Sequence, residues 1–186
     1  MDFAAKLRDG LSYTEFLEAH ATPEQKRRWT AVFDAVKLTD AQRALLGSFT
    51  RDMPVFCLAG AWCGDCVNQC PIFARFAEAA PRISLKFYDR DAHPDLALLL
   101  RMCGGARVPM LLFLSEDFQE VGRFGDRTLS QYRKLASGLM GAACPSGLVA
   151  PESSTLATIT AEWLEQFERA QWVLRTSSRL RGVHGD

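Results

Sequence analysis

Two short apolar runs, each followed by a helical pattern, constrain the fold of this chain most. The runs span residues 54–59 and 83–88. Strands that alternate with helices in this order are expected to lie parallel in one sheet. Two later apolar runs, 109–114 and 118–124, are joined by a short polar link and predict an antiparallel hairpin. The pattern therefore predicts an α/β domain with a mixed central sheet flanked by helices.

The first fifty residues predict helices that precede this domain. Residues 12–15, 22–25 and 39–42 each fit the capping box, in which the first and fourth side chains bind each other's free backbone amides. Between the last two boxes, one helical face is apolar, with the spacing i, i+3, i+4, i+7. We expect this face, formed by Trp29, Val32, Phe33 and Val36, to pack on the main domain rather than on a separate partner.

The C-terminal part predicts two further helices. Residues 128–140 place Leu129, Tyr132, Leu135 and Leu139 on one apolar side, and a break follows at 141–147. A long helix is expected from about 154 to 179, and we expect its apolar stripe to pack on the domain rather than form a dimer seam. The stripe comprises Leu156, Ile159, Trp163, Phe167, Ala170 and Leu174. Residues 175–186 are predicted to be frayed.

These patterns predict three parts in the chain. Residues 1–52 form a helical N-terminal extension, residues 53–143 the α/β domain, and residues 144–186 a linker and a C-terminal helix packed on the domain. Repeats are not evident. The oligomeric state is not predicted by any of these features.

Composition limits the class of partner. The 22 basic and 22 acidic residues cancel, so the net charge does not favour nucleic acid or an anionic membrane. The sequence has neither a secretory signal at its N-terminus nor an apolar stretch of the roughly 20 residues that span a bilayer. We therefore expect a cytoplasmic protein, in which structural disulfides are rare and the six cysteines are free, catalytic or metal-bound.

The segment Trp62-Cys63-Gly64-Asp65-Cys66 joins the first strand to a helix and carries the candidate chemistry. A cysteine at a helix N-terminus is favoured as the thiolate, which is the attacking species in disulfide exchange. Cys66 lies one turn further on the same face, within reach of a disulfide with Cys63. The pair predicts a cycle in which Cys63 attacks a substrate disulfide and Cys66 resolves the mixed disulfide.

This motif, the preceding strand and a downstream Val108-Pro109 resemble the thioredoxin family over about residues 54 to 140. The resemblance implies a thioredoxin-like fold in which Pro109 is cis, faces the cysteine pair, and follows a backbone segment at Val108 that pairs with the substrate chain. Without the resemblance, Pro109 is simply the first residue of an edge strand. Trp62 resembles the family's partner-binding tryptophan, although ordinary packing of the ring is the alternative.

Three departures from the family bear on the mechanism. The family has a buried acid six residues before the first cysteine, where this chain has Cys57. Asp65 replaces the usual proline between the cysteines, and its charge should counter part of the lowering of the Cys63 pKa. Cys70 lies on the same helical face as Cys66 and is either a buried apolar residue or an accessory resolving thiol.

The remaining cysteines and histidines predict no further site. Cys57, Cys103 and Cys144 are expected to be small buried residues. A metal site is not expected, because structural zinc needs four ligands and the chain has a single Cys-x-x-Cys motif. His20, His93 and His184 are scattered, and His93-Pro94 is better explained as the start of a helix.

The sequence thus predicts a thiol:disulfide oxidoreductase that reduces protein disulfides through Cys63 and Cys66, with Trp62, Gly64, Asp65, Val108 and Pro109 in its substrate-binding surface. It needs no cofactor beyond the redox-active cysteine pair. Its partners are disulfide-containing proteins and a reductase that donates electrons. The alternative is a binding, assembly or redox-sensing module of the same fold without turnover; a peroxide-reducing enzyme is less favoured because no Thr-x-x-Cys motif is evident.

Overall fold

A four-stranded mixed sheet forms the centre of the molecule. The computed structural model describes residues 1–140 and 155–185. The strands lie in the order β2-β1-β3-β4, with β1 parallel to β2 and β3 antiparallel to both of its neighbours. Their bounds are Met53–Ala59 for β1, Ile83–Asp89 for β2, Met110–Leu114 for β3 and Glu120–Gly125 for β4. The predicted parallel pair and the predicted hairpin are confirmed.

Helices precede, cover and follow the sheet. They are α1 (Phe3–Asp9), α2 (Tyr13–His20), α3 (Pro23–Ala35), α4 (Asp40–Gly47), α5 (Gly64–Ala79), α6 (Pro94–Leu99), α7 (Leu129–Met140), α8 (Leu156–Thr176) and α9 (Ser178–His184). All three capping boxes predicted in the first fifty residues form at the starts of α2, α3 and α4. His93 is the N-cap of α6, as expected. Each helix in the described part of the chain is too short or too polar to span a bilayer.

The core lies on both faces of β1, whose residues are all buried. Helix α8 packs on α5, and the ring of Phe73 meets that of Trp163 edge-on with centroids 4.5 Å apart. On the N-terminal side, Phe16 and Trp29 are fully buried, and Phe16 packs on Phe87 of β2. The apolar stripes predicted for α3 and α8 are therefore mostly buried against the sheet and α5.

The predicted apolar side of α7 is not buried. Leu129, Tyr132 and Leu135 are exposed among the described residues, and the side chain of Leu139 lies outside them. The helix instead turns a polar residue inward: Ser130 is buried, and both its backbone amide and its hydroxyl donate hydrogen bonds to Glu162 of α8. The predicted helix is present, and the hydrogen bonds of Ser130 to Glu162 orient it so that its apolar side faces away from α8 among the described residues.

The C-terminal helix differs from the expectation as well. It breaks at Ser177, whose side chain caps a separate helix, α9. Leu180 of α9 is buried, and Arg179 pairs with Asp117 in the β3–β4 turn. These contacts order a segment that was expected to be frayed. Cys144 and the predicted break at 141–147 lie outside the described residues.

Candidate functional site

Cys63 lies where the sequence predicts it, at the N-cap of α5 just beyond the end of β1. Its side chain makes no capping hydrogen bond to the backbone at the start of α5. The backbone amide of Cys63 donates to the carbonyl of Gly60, and its carbonyl accepts from Val67, which closes the turn between strand and helix. Cys63 is partly exposed, whereas Cys66 is fully buried behind it.

The Val108–Pro109 peptide bond is cis and faces the cysteine pair. The Sγ of Cys63 lies 3.7 Å from the carbonyl oxygen of Val108. Pro109 precedes β3, which lies between β1 and β4, so the alternative of a proline at the start of an edge strand is wrong. The cis geometry and the position opposite Cys63 agree with what the resemblance implied.

The two thiols of the motif are joined by a side-chain hydrogen bond. This bond, together with burial, raises the pKa of Cys63. Burial alone would raise the pKa of Cys66, but hydrogen bonds from Cys63, Cys70 and the Gly60 amide lower it. The direction for Cys63 is opposite to that expected from the helix N-terminus alone, because the neighbouring sulfur dominates over the backbone amides. These directions place the proton on Cys63 and the negative charge on Cys66, and Cys63 is the partly exposed sulfur of the two.

Trp62 is held at the surface next to Cys63. Its side chain is 48% exposed, and the guanidinium of Arg90 lies 4.6 Å from the centre of its ring. The ring covers Gly60, where a Cβ atom would come within 2.8 Å of it. Gly64 is also exposed and has open space around it. The Trp62 ring is therefore partly exposed in the residue next to Cys63, between Arg90 and Gly60.

Asp65 does not face the thiols as an isolated charge. Its carboxylate pairs with Arg127 at 2.5 Å, and Arg127 also binds the buried carboxylate of Asp126 at 3.3 Å. Arg107 binds the same carboxylate oxygen of Asp126 as Arg127 does, and the hydroxyl of Tyr132 donates to the other oxygen. The repulsion that the sequence predicts between Asp65 and a thiolate is therefore partly balanced by a nearby cation.

Two buried side chains that sequence reasoning did not assign to the site hold its backbone. The Nε1 of Trp29 in α3 donates to the carbonyl of Ala61 at 3.0 Å. Gln69 donates to the carbonyls of Asp65 and Asp126 and accepts from the indole of Trp163. A polar residue inside an otherwise apolar helical face was the signal for Gln69, whereas Trp29 resembled any other core residue.

The other cysteines are placed differently from one another. Cys57 and Cys70 are fully buried, as expected, with their sulfurs 3.8 Å apart. Cys103 is exposed in a turn with a left-handed backbone, so the expectation that it is buried is wrong. No group of histidine, cysteine and acidic side chains is arranged to hold a metal ion in residues 1–140 and 155–185.

A groove of about 810 Å³ opens beside Asp65. It is lined by the C-terminal half of α3, the first turns of α5, residues 131–138 of α7 and the start of α8. Val32 and Leu135 contribute apolar walls, and Arg127 and Lys134 contribute positive charge. The groove therefore offers a mixed apolar and cationic surface next to the cysteine pair.

The thioredoxin family model matches residues 10–135, and the chain therefore belongs to the thioredoxin family. The match begins before α2, so the family unit includes helices α2 to α4, which the sequence resemblance had left outside it. No curated protein sequence matches this chain.

Two solved structures share its fold over almost the whole length. An HIV epitope-scaffold protein is 17% identical with a TM-score of 0.62, covering 100% of this chain and 99% of its own. A protein of unknown function from Pseudomonas aeruginosa is 21% identical with a TM-score of 0.60, covering 92% of this chain and 94% of its own. At these identities the likeness concerns the fold alone.

Proposed function

We propose that this protein is a thiol:disulfide oxidoreductase that reduces protein disulfides with Cys63 and Cys66. The observation that carries the proposal is the arrangement of an accessible Cys63 at the start of α5, a buried Cys66 behind it, and the Val108 carbonyl 3.7 Å from the Cys63 sulfur. A protein without thiol chemistry has no need for this combination.

The reaction begins when Cys63 passes its proton to the neighbouring Cys66 and attacks one sulfur of a substrate disulfide as the thiolate. A mixed disulfide forms, and the first substrate thiolate leaves and takes up a proton. Cys66 then attacks the Cys63 sulfur, which releases the second substrate thiol and leaves a Cys63–Cys66 disulfide. A reductase that donates two electrons and two protons returns the pair to its dithiol form. No cofactor is needed in this cycle.

The surface around Cys63 is suited to an extended protein segment. The Val108 carbonyl can accept a backbone hydrogen bond from a substrate chain that replaces its contact with the Cys63 sulfur. Trp62 offers an exposed ring for apolar contact, and Gly64 leaves room for the chain beside it. These residues together form the proposed substrate-binding surface.

A specific observation favours the second candidate, a binding or redox-sensing module of the same fold. Cys57 occupies the position of the family's buried acid, and the described contacts of the Cys66 sulfur are the Gly60 amide and the thiols of Cys63 and Cys70. A carboxylate that could accept the Cys66 proton is not among them, which would slow the resolving step. A slow rate of disulfide reduction would therefore distinguish the binding or redox-sensing module from an efficient reductase.

The test combines insulin-disulfide reduction with the reduction potential of the pair. Wild type, Cys63→Ser and Cys103→Ser are compared, the last as a matched control because Cys103 is an exposed thiol outside the site. We expect activity in wild type and in Cys103→Ser, none in Cys63→Ser, and a reversible potential of about −270 to −200 mV in glutathione buffers. Equal rates in all three proteins, or no reversible disulfide, would reject the oxidoreductase and support the binding module.

A further inference from the structure

A second pair of thiols lies directly behind the candidate active site. Cys57 is in β1 and Cys70 is in α5, and their sulfurs are 3.8 Å apart. Cys70 also shares a hydrogen bond with Cys66, which in turn shares one with Cys63. The four sulfurs therefore form a continuous series from the partly exposed Cys63 to the buried Cys57.

The surroundings of this inner pair leave few other chemical roles for it. Both side chains are fully buried, so a soluble oxidant or reductant cannot approach them directly. The described cysteines do not form a group suited to a metal ion. A buried free cysteine can serve simply as a small apolar residue. Packing alone, however, does not require two such residues to place their sulfurs 3.8 Å apart.

We propose that Cys57 and Cys70 are a second redox-active pair, which exchanges with the Cys63–Cys66 disulfide through Cys66. The proposal rests on the proposed function, because the outer pair must first be oxidised by a disulfide. The fully reduced protein then delivers four electrons, enough to reduce two substrate disulfides before it meets its electron donor.

The exchange is balanced in sulfur, protons and electrons. The Cys70 thiolate attacks the Cys66 sulfur of the outer disulfide, the Cys63–Cys66 bond breaks, and Cys63 leaves as a thiolate. The Cys57 thiolate then attacks the Cys70 sulfur, and Cys66 leaves. The inner pair has lost two electrons to the outer pair, and its two protons have passed to Cys63 and Cys66. A second substrate disulfide, or oxidised glutathione, can oxidise the outer pair again.

Geometry favours this route, while burial makes it slow. The sulfurs of Cys57 and Cys70 are 3.8 Å apart, and Cys66 and Cys70 lie one helical turn apart. Each step is therefore intramolecular and requires two sulfurs to approach to the bond length of about 2.05 Å. Burial raises the pKa of both Cys57 and Cys70, so few thiolates are present at neutral pH. We expect the inner disulfide to form after the outer one, as a separate and slower phase.

The experiment follows the two disulfides separately. Fully reduced protein is incubated with excess oxidised glutathione, quenched with N-ethylmaleimide in denaturant, and analysed by intact mass and by disulfide mapping of peptides. Peptide mapping counts the four cysteines of the two pairs, and we expect four of them alkylated at the start, two when Cys63–Cys66 has formed, and none when Cys57–Cys70 has formed as well. Glutathione bound to the exposed Cys103 is counted separately.

Two variants test the route. In Cys63→Ser, the outer disulfide cannot form, and we expect Cys57–Cys70 to appear at least about tenfold more slowly than in wild type. In the matched control Cys103→Ser, both disulfides should form at the wild-type rates. Formation of Cys57–Cys70 at the wild-type rate in Cys63→Ser would overturn the route through Cys66.

The remaining outcomes separate this proposal from the proposed function. If oxidation stops with Cys63–Cys66 formed while Cys57 and Cys70 are both alkylated, the inner pair is not redox-active and the proposed function stands. A final Cys66–Cys70 bond with Cys57 alkylated would also overturn the inner pair. If Cys63–Cys66 never forms, the proposed function itself fails.

Discussion

The indole nitrogen of Trp29 donates a buried 3.0 Å hydrogen bond to the carbonyl oxygen of Ala61. Trp29 belongs to α3, whereas Ala61 lies in the loop that presents Cys63. The helical segment before the sheet therefore does more than cover the core. It fixes the backbone two residues before the reactive cysteine.

Replacing Trp29 by phenylalanine removes this hydrogen bond and leaves a buried carbonyl without its partner. We expect the free energy of unfolding to fall by about 1–3 kcal/mol, measured by urea denaturation. The rate of insulin reduction should fall as well, since the loop loses its support. Trp172→Phe is the control, because Trp172 is 51% exposed and should change stability by less than about 0.5 kcal/mol. Equal losses in both variants would contradict a specific role for Trp29.

The pairing of Arg127 with Asp65 should tune the reactivity of the thiol pair. The charge of Asp65 raises the pKa of Cys66, so Arg127→Gln should raise the pKa values of the pair further and Asp65→Asn should lower them. The ion pair is partly buried but still screened by solvent, so its contribution is up to about 1 kcal/mol. We therefore expect alkylation of Cys63 at pH 7 to be about two- to fivefold slower in Arg127→Gln and about two- to fivefold faster in Asp65→Asn. Arg82→Gln, which breaks an exposed pair with Asp52, should leave the rate unaltered. Slower alkylation of Cys63 in both Arg127→Gln and Asp65→Asn would show that packing, not charge, controls its reactivity.

Gly125 allows the end of β4 to approach Pro109 closely. A Cβ atom at Gly125 would lie 2.5 Å from both the carbonyl oxygen of Pro109 and the sulfur of Met110. Because part of this obstacle is backbone, Gly125→Ala should destabilise the fold by about 1–3 kcal/mol and reduce insulin reduction by displacing the segment opposite Cys63. Gly122→Ala, on the same strand with open space around it, is the matched control for both measurements. Similar effects at the two glycines would count against a steric explanation.

Tyr88 should make the fold sensitive to alkaline pH. Its hydroxyl donates to the carbonyl of Lys6 at 2.9 Å, and burial raises the pKa of Tyr88 well above its ordinary value. An unfolded tyrosine ionises near pH 10, whereas the buried Tyr88 stays neutral in the folded protein at that pH. The contribution of neutral Tyr88 to the free energy of unfolding is therefore complete below about pH 10 and is lost as the pH rises above it. Urea denaturation between pH 8 and 11 should therefore show a shallower alkaline decline for Tyr88→Phe than for wild type. Parallel declines would mean that Tyr88 is not the group responsible.

Local sequence patterns were sufficient to predict most of the fold. The strands, the hairpin and the capped helices depend on periodicity and on residues three or four positions apart, which a single sequence displays directly. The orientation of α7 could not be predicted, because it depends on a hydrogen bond between Ser130 and Glu162, 32 residues apart. The order of α9 likewise depends on Asp117 and Arg179, which are 62 residues apart.

The candidate site likewise contains residues that the sequence predicts and residues that it does not. Cys63 and Cys66 were predicted from their spacing and position at a helix start, and Val108 and Pro109 from the resemblance to the thioredoxin family. The residues that support them were missed, because Trp29 and Arg127 reach the site from distant elements of the chain. Their chemistry becomes visible only when the fold brings the indole to Ala61 and the guanidinium to Asp65.

The 3.8 Å distance between the sulfurs of Cys57 and Cys70 also bears on the stability of the fold. Cys57 belongs to the central strand and Cys70 to the helix packed over it, 13 residues later. A disulfide that closes a loop of this size lowers the conformational entropy of the unfolded chain, which raises the free energy of unfolding by about 3 kcal/mol. If Cys57 and Cys70 form this disulfide, their oxidation would join β1 to α5 covalently. The melting temperature of the protein would then be higher in its oxidised form than in its reduced form.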